Sequence, residues 1–182
     1  MAVGRLRVLP LIETPRGLMC CESILAAAPK RVHTAVFGSG DFAGGLGVEL
    51  TPDATEIFYA RSRLVVAARA AGLAAPIDGP WLRLDDLDGL ESDCARSRQL
   101  GFQGRVVIHP PQVEPVRRCY AIGSREDAAW SRRVVEAFEA AERDGVASLR
   151  IDGRFVDYAI YRQARERIHG DEARRHEGRM AG

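Results

Sequence analysis

Four short apolar runs alternate along this chain with segments in which apolar residues recur at helical spacing. The runs are RVLPLIE (7–13), HTAVF (33–37), LAAPID (73–78) and RVVIH (105–109). Between them, helical spacing and end signals predict helices from Pro15 to about Ala28, within 51–72 and over 85–101. Strands that are each followed by a helix predict an α/β fold with a parallel sheet, in which the loops after the strands share one edge.

The rest of the chain has helical period at first and a short strand pair later. Separate helices are predicted over 111–121 and 125–143. An Asp-Gly dipeptide at 152–153 predicts a small β-hairpin within 147–157, because this dipeptide favours a two-residue hairpin turn. A last helix is predicted over 158–168.

The composition is that of an ordinary globular protein, with 46% hydrophobic and 28% charged residues in 182. The net charge of +1 provides no field that would attract nucleic acid or an acidic membrane. No window approaches the length of a membrane span, and the apolar N-terminus lacks a signal-peptide pattern. The four cysteines form no C-x-x-C pair, so neither a cysteine metal site nor a disulfide framework is expected, and a reducing cytoplasm is the default location.

Two carboxylates lie just after neighbouring predicted strands. Glu13 ends the first apolar run, and Asp41 lies in the glycine-rich stretch FGSGDFAGGLG that follows the second. Each has a structural alternative: an ion pair with Arg16 for Glu13, and the N-cap of a short helix over 42–47 for Asp41. Together they predict a site for a divalent ion such as Mg²⁺, which takes one or two protein carboxylates and completes its shell with water or substrate oxygens.

The glycine-rich stretch also has the spacing of a dinucleotide-binding turn. Gly38, Gly40 and Ala43 fit the pattern G-x-G-x-x-G/A. A pyrophosphate placed there would meet the like charge of Asp41, and the acid that should bind ribose about 20 residues later is missing, since Asp78 comes too late. We therefore favour the metal site and expect the glycines to allow a tight turn at the strand end.

Three further polar residues have a structural and a functional interpretation. Asp78 ends the third run in an Asp-Gly turn, and His109 ends the fourth before two prolines, where backbone hydrogen bonds would hold it. Asp157 has the position of an N-cap for the last helix. Their residue types alone do not decide between these roles.

Five motifs in this order resemble the citrate lyase beta-subunit-like branch of the HpcH/HpaI aldolase superfamily. The resemblance covers about residues 5–168, and the motifs are LPLIETPRGLM, VFGSGDFAGGLG, YARSRLVVAARAAGL with PIDGPW, DLDGLESDCARSRQLGFQGRVVIHPPQVEPV and DGRFVDYAIYRQAR. It implies a (β/α)₈ barrel and Mg²⁺-dependent cleavage or formation of a carbon–carbon bond in a 3-hydroxyacyl-CoA thioester of malyl, citramalyl or citryl type. The implied substrates are an acyl-CoA thioester and a 2-oxo acid bound to the metal.

The resemblance also implies roles for individual residues. Glu13 and Asp41 match the metal ligands of the family, and Asp157 matches an acid/base that reaches in from a neighbouring subunit. The residues implied to bind substrate or line the barrel mouth are Gly40, Pro76, Ile77, Asp78 and the segment at His109. Gly40 stands where many relatives carry Glu, which removes one acid from the mouth, and Pro111 stands where Ser is common.

This chain matches only strands five to eight of such a barrel, followed by a C-terminal helical extension. The implied organisation is a C-terminal half-barrel over 1–145 and a hairpin and helix over 146–169. The tail over 170–182 is polar and lacks periodicity, so it is expected to be disordered. The early strands and the arginine that clamps the substrate carboxylate are not matched. A truncated gene product, a remnant, half of a split enzyme and a self-pairing half-barrel are the alternatives, so the expected partner is a second copy or a complementing N-terminal half. A non-catalytic assembly partner is the alternative function.

Overall fold

The computed structural model describes residues 6–27 and 30–168, without the side chains of 122–127. Compactness divides the chain into two units, Met1–Tyr120 and Ala121–Gly182. The predicted boundary after residue 145 falls later than this division. The reason is that one helix crosses the division, over 113–143, and its C-terminal part packs with the hairpin over 148–157 and the helix over 158–168.

The first unit contains the predicted parallel sheet. Its strands, which are shorter than the apolar runs, pair in the order β1 (Leu11–Ile12), β2 (Val36–Phe37), β3 (Ile77–Asp78) and β4 (Gly104–Arg105). This confirms the α/β class and the predicted parallel sheet. Because all four are parallel, their carboxyl ends lie along one edge of the sheet.

The two faces of this sheet differ in burial. Successive strand residues point to opposite faces. Ile12, Phe37, Asp78 and Arg105 are buried, whereas the residues of the alternate register are half-buried or, at Leu11, 51% exposed. One face therefore packs against helices, and the other is open in the described chain.

Helices follow each strand, with bounds that the sequence predicted in part. They are α1 (Pro15–Met19), α2 (Cys21–Ala26), α3 (Ser39–Leu46), α4 (Phe58–Ala70) and α5 (Leu87–Leu100), with 3₁₀ turns at Thr55–Ile57 and Pro110–Gln112. The hydroxyl of Thr14 accepts a hydrogen bond from the Gly17 N–H at 3.0 Å, which confirms the predicted start of the first helix. The structure divides that helix at Cys20.

Asp41 is not the N-cap expected for a helix over 42–47. The helix begins earlier, at Ser39, with Gly38 as its N-cap, and Asp41 lies in its first turn. The physical reason is that the backbone already turns into the helix at the end of β2, where the Phe42 N–H donates to the Gly38 carbonyl at 3.0 Å. The capping alternative for Asp41 is therefore wrong.

Two apolar clusters pack the helices of the first unit, and the larger of them includes the sheet. The larger one joins β1 and β2 to α1, α2 and α4, with Ile12, Leu25, Phe37 and Leu64 at most 2% exposed. A smaller one joins α5 to the Trp81 loop and to Val116. Both use the helical periodicity visible in the sequence, so the apolar faces of these helices were predictable.

The two helices predicted over 111–121 and 125–143 form one helix, α6 (Val113–Arg143). The residues between the predicted helices include a glycine but no proline. Glycine disfavours a helix interior by only about 1 kcal/mol, whereas proline breaks it. The predicted interruption is therefore wrong.

The second unit packs the C-terminal part of α6 against a hairpin and a last helix. Strands β5 (Ser148–Ile151) and β6 (Arg154–Asp157) are antiparallel, and Asp152 and Gly153 have φ of 46° and 79°, as a hairpin turn of this length requires. A helix, α7, follows over 158–168. The predicted hairpin and last helix are confirmed, and the tail over 170–182 lies outside the described residues.

Phe138 anchors the core of this second unit. It is fully buried, and its ring stacks on that of Tyr161 with centroids 4.7 Å apart. We expect Phe138→Ala to lower the free energy of unfolding by about 3–5 kcal/mol because it leaves a cavity. Urea titration followed by circular dichroism measures this loss.

The matched control is Phe155→Ala, because Phe155 lies in the same unit and is 65% exposed. This variant should change the free energy of unfolding by no more than about 0.5 kcal/mol. Equal losses in the two variants would contradict the assigned core.

Candidate active site

Glu13 and Asp41 lie at the carboxyl ends of the adjacent strands β1 and β2. Glu13 directly follows β1, and Asp41 lies in the first turn of α3, which follows β2. The strands are held in register by Ile12, which pairs with Phe37 and whose carbonyl accepts a hydrogen bond from the Gly38 N–H at 2.9 Å. The structure thus brings the two predicted metal ligands to the same edge of the sheet.

Gly38 makes room for Glu13. A Cβ built on Gly38 would lie 2.3 Å from the Glu13 Cβ and 3.1 Å from its Oε2. The φ of Gly38 is −97°, which any residue adopts, so the glycine is needed for the close approach and not for the turn that the sequence suggested.

Neither carboxylate has a hydrogen-bond or ion-pair partner within the described part of the chain. In particular, the alternative ion pair between Glu13 and Arg16 is not formed. Glu13 is half-buried and Asp41 is exposed, next to the positive end of the α3 dipole. Two unpaired carboxylates with free oxygens fit a hard divalent cation such as Mg²⁺.

The described residues contain no group of three or more His, Cys, Asp or Glu side chains that could hold a metal. A cation at Glu13 and Asp41 would therefore take its other oxygen ligands from water or a substrate. Mg²⁺ commonly binds through one or two protein carboxylates and keeps several waters beside substrate oxygens.

Asp78, in contrast, lies in a buried charged cluster, which we define as Arg61, Asp78, Asp93 and Arg105. Its Oδ1 accepts hydrogen bonds from the Gly79 N–H at 2.8 Å and from Arg61 Nε at 3.2 Å. Its Oδ2 lies 2.7 Å from Arg105 Nη2. The side chain has no exposed surface, so its oxygens contact protein groups, as the Asp-Gly turn alternative implied in part.

Asp93 completes the buried charged cluster from α5. Arg61 on α4 forms a bidentate ion pair with Asp93, donating from Nη1 to Oδ1 at 3.0 Å and from Nη2 to Oδ2 at 2.7 Å. Arg105 also donates to Asp93 Oδ2. Two arginines and two aspartates balance in charge, and they join two helices to β3 and β4.

The electrostatics of the cluster favour the charged form of every member whose pKa shifts. Burial opposes ionisation of Asp93, but hydrogen bonds from Arg61 and the charges of Arg105 and Arg61 outweigh it and lower the pKa of Asp93 to about 2. Burial likewise opposes the charge on both arginines. A hydrogen bond to Asp93 and the charges of both aspartates nevertheless raise the pKa of Arg61, and the charges of both aspartates with a hydrogen bond to Asp78 raise that of Arg105.

Sequence reasoning missed Arg61, Asp93 and Arg105, although two of them had a detectable signal. Arg61 follows Ile57 and precedes Leu64 at helical spacing, on the buried face of α4. Asp93 shares the buried face of α5 with Leu90, Cys94 and Ser97. Charges of opposite sign on the inward faces of two helices indicate a buried pair.

The other residues implied to bind substrate lie in varied environments. Gly40 lines a cavity of about 360 Å³ beside α3. Pro76 is buried, and its carbonyl accepts from the Gln103 N–H at 3.0 Å. Ile77 belongs to β3 and is half-buried, and the His109 carbonyl accepts from the Gln112 N–H at 3.0 Å.

Asp157 lies in the second unit, where it caps α7. Its Oδ1 accepts hydrogen bonds from the backbone N–H groups of Ala159 and Ile160, both at 3.0 Å. This confirms the N-cap position predicted from the sequence. The side chain remains half-exposed.

The family of the chain follows from its match to known proteins. The model of the HpcH/HpaI aldolase/citrate lyase family matches residues 1–110. Because this is more than half of the 182 residues, the chain belongs to the HpcH/HpaI aldolase/citrate lyase family.

The relatives share this region over most of the chain. Citrate lyase subunit beta of Escherichia coli (strain K12) is 33% identical over 162 residues, which cover 89% of this chain and 53% of that protein. Mitochondrial citramalyl-CoA lyase of Rattus norvegicus is 31% identical over 166 residues, covering 87% and 48%. The chain thus spans about half the length of the curated relatives it matches.

A solved structure agrees with this relationship. The protein CitE from Mycobacterium tuberculosis, in complex with magnesium, acetoacetate and coenzyme A, matches with a TM-score of 0.71 at 30% identity. The match covers 89% of this chain and 59% of that one.

Within the described residues, no helix has both the length and the apolar character needed to cross a membrane.

The buried charged cluster makes stability depend on pH. Because the pKa of Asp93 is lowered to about 2 from 3.8, its charge stabilises the fold above about pH 4, and this contribution is lost as the pH falls toward 2. We expect the free energy of unfolding to fall over that range, and less steeply in Asp93→Asn. Urea titration between pH 4.5 and pH 2.5 measures both slopes.

The matched control is Asp88→Asn, an exposed carboxylate on the same helix. It should keep the slope of the unchanged protein. An Asp93→Asn variant that also keeps that slope would contradict the assignment.

Proposed function

We propose that this chain forms the metal-binding part of a Mg²⁺-dependent carbon–carbon lyase or aldolase. The substrates would be 3-hydroxyacyl-CoA thioesters of malyl, citramalyl or citryl type, cleaved or formed through a metal-bound 2-oxo acid. The observation that carries the proposal is the pair of carboxylates Glu13 and Asp41 on adjacent strand ends, which have no partner among the residues that the structure describes, with Gly38 leaving space beside Glu13. The magnesium, acetoacetate and coenzyme A of the Mycobacterium tuberculosis relative support it.

Each residue has a distinct task in this chemistry. Glu13 and Asp41 would hold Mg²⁺, which as a Lewis acid supplies charge stabilisation at the carbonyl oxygen of the 2-oxo acid. Asp157 would remove or return the proton on the acyl carbon beside the thioester, where the carbon–carbon bond forms or breaks. Gly40, Pro76 and Ile77, with the backbone at Asp78, would border the substrate at the sheet edge.

We further propose that the four parallel strands are one half of a (β/α)₈ barrel. The open sheet face at Leu11 and the match to about half of each relative support this. The strands β1 and β4 form the two edges of the sheet and leave backbone groups for further pairing. A second copy or a complementing N-terminal half would supply the remaining strands, and Asp157 would act from a neighbouring subunit.

The same half-length match favours a second candidate function, a non-catalytic assembly partner. Such a protein would keep the fold and the carboxylates while a relative performs the reaction. It would bind Mg²⁺ without turning over malyl-, citramalyl- or citryl-CoA, even with an N-terminal half supplied. Turnover by the complemented chain separates the two candidates.

The cysteines suit the cytoplasmic location expected from the sequence. All four carry free thiols in the structure, and Cys21 and Cys94 are buried. Burial is the main cause that raises the pKa of the Cys94 thiol, to about 12, so this thiol stays protonated and unreactive at neutral pH. A reducing compartment preserves such thiols.

Direct titration of Mg²⁺ tests the metal site. We expect calorimetry to detect binding by the full chain, and Glu13→Gln or Asp41→Asn to weaken it at least about tenfold, because each removes one of two charged ligands. The control, Asp85→Asn, removes an exposed carboxylate outside the site and should bind Mg²⁺ unchanged. No binding by the chain, alone or with an N-terminal half, would overturn the proposal.

Asp157 can be tested without losing its cap. Asparagine caps a helix about as well as aspartate, so Asp157→Asn should keep the melting temperature. We expect this variant to lower kcat of the complemented enzyme at least about 100-fold, since the amide cannot exchange the proton.

The comparison variant, Asp157→Ala, should lose both activity and about 1 kcal/mol of stability. Mg²⁺ affinity should stay constant in both variants. Full activity in Asp157→Asn would show that Asp157 serves only as a cap.

A further inference from the structure

The cavity of about 360 Å³ lies on the other side of α3 from Pro15. Its α3 wall is formed by Ser39, Gly40, Ala43 and Gly44, and its opposite walls are largely apolar, with Leu50, Ile57, Trp81 and Leu82. Gly40 directly precedes Asp41 in the first turn of α3. The cavity therefore reaches the residue that precedes Asp41 in α3, although Asp41 and Glu13 are not among its lining residues.

The walls of the cavity are preformed. The segment 48–54 is held by hydrogen bonds of 2.8 Å and 2.6 Å from the Thr51 N–H and hydroxyl to Glu56. Arg83 donates to the Leu50 carbonyl, and Arg96 to the Pro52 carbonyl, both at 2.6 Å. A cavity with such fixed walls needs little ordering when a ligand enters.

The charges at the floor of the cavity are already neutralised. Arg61 and Asp93 line it, but both are at most 5% exposed and pair with each other within the buried charged cluster. A ligand ion would have to compete with these short bonds. The lining also includes the exposed charged residues Glu49 and Arg83. The paired floor and the apolar walls favour an uncharged, apolar ligand group in the part of the cavity that they form.

Two glycines of α3 face the cavity without any close packing contact that would require a glycine. A Cβ on Gly45 would lie 3.0 Å from Pro15, so contact with α1 explains that glycine. Gly44 has no atom within 4 Å of a built Cβ, and Gly40 has only Leu82 at 3.5 Å. Glycine is unfavourable in a helix interior, and here its effect is to leave volume on the cavity side.

We propose that this cavity receives the apolar part of the acyl group of the substrate. The substrate class is then a 3-hydroxyacyl thioester of the proposed type whose acyl group carries a hydrocarbon extension. The thioester identity rests on the function proposed above, whereas the cavity itself does not. Gly40 and Gly44 act as residues that determine the accepted chain length.

Two uncharged probes test this directly, S-hexanoyl-pantetheine and S-acetyl-pantetheine. The chain contains two tryptophans, so Trp130→Phe leaves Trp81 in the cavity wall as the only indole reporter. We expect fluorescence titration to give a hexanoyl Kd at least about tenfold lower, since each buried CH₂ lowers Kd about fourfold.

Gly44→Met should fill the cavity and bring the two Kd values within about twofold of each other. The matched control, Val66→Met, places the same side chain at a position on α4 that is 68% exposed, and it should keep the hexanoyl preference. Equal Kd values in the parent, or an unchanged preference in Gly44→Met, would overturn the proposal.

Leu82→Ala serves if Gly44→Met fails to fold, because Leu82 is 51% exposed and its loss enlarges the cavity. It should shift the preference toward S-octanoyl-pantetheine, and no shift counts against the proposal. A chain-length preference without Mg²⁺ binding would contradict the proposed metal site and support the proposed acyl cavity. Mg²⁺ binding without a chain-length preference would support the metal site and contradict the acyl cavity.

Discussion

The buried charged cluster is the interaction on which the first unit depends most. Arg61, Asp78, Asp93 and Arg105 come from two helices and two strands, and each is less than one-tenth exposed. Removing one member would leave an unpaired charge in the interior, at a cost of about 3–5 kcal/mol. The position of α4 and α5 against β3 and β4 is therefore tied to a specific set of charge pairs as well as to apolar packing.

The same sheet edge uses its carboxylates in two ways. On β3, the Asp78 carboxylate binds two guanidinium groups and a backbone N–H, so its oxygens stabilise the fold. At the ends of β1 and β2, Glu13 and Asp41 have no protein partner in the described residues. All three acids lie at strand ends, so what separates Asp78 from Glu13 and Asp41 is the presence of charged and hydrogen-bonding partners among the described residues.

Local patterns accounted for much of what the structure contains. The apolar runs and helix signals predicted the parallel sheet, the hairpin at Asp152 and the cap at Asp157, because these depend on nearby residues. The continuous helix α6 was not predicted, since a glycine and a serine interrupt a pattern without breaking a helix. The role of Gly38 also escaped local reasoning, because its neighbour Glu13 is 25 residues away in the chain.

The sequence by itself determined the fold class, the family resemblance and the two strand-end carboxylates, because residue type and periodicity specify these. Only the tertiary structure decided which acids are paired. Asp78 and Asp93 meet Arg61 and Arg105 through contacts between residues that are 12 to 32 positions apart. Electrostatic pairing acts across space, so the lack of a partner for Glu13 and Asp41 among the described residues could be recognised only from the three-dimensional positions of the surrounding charges.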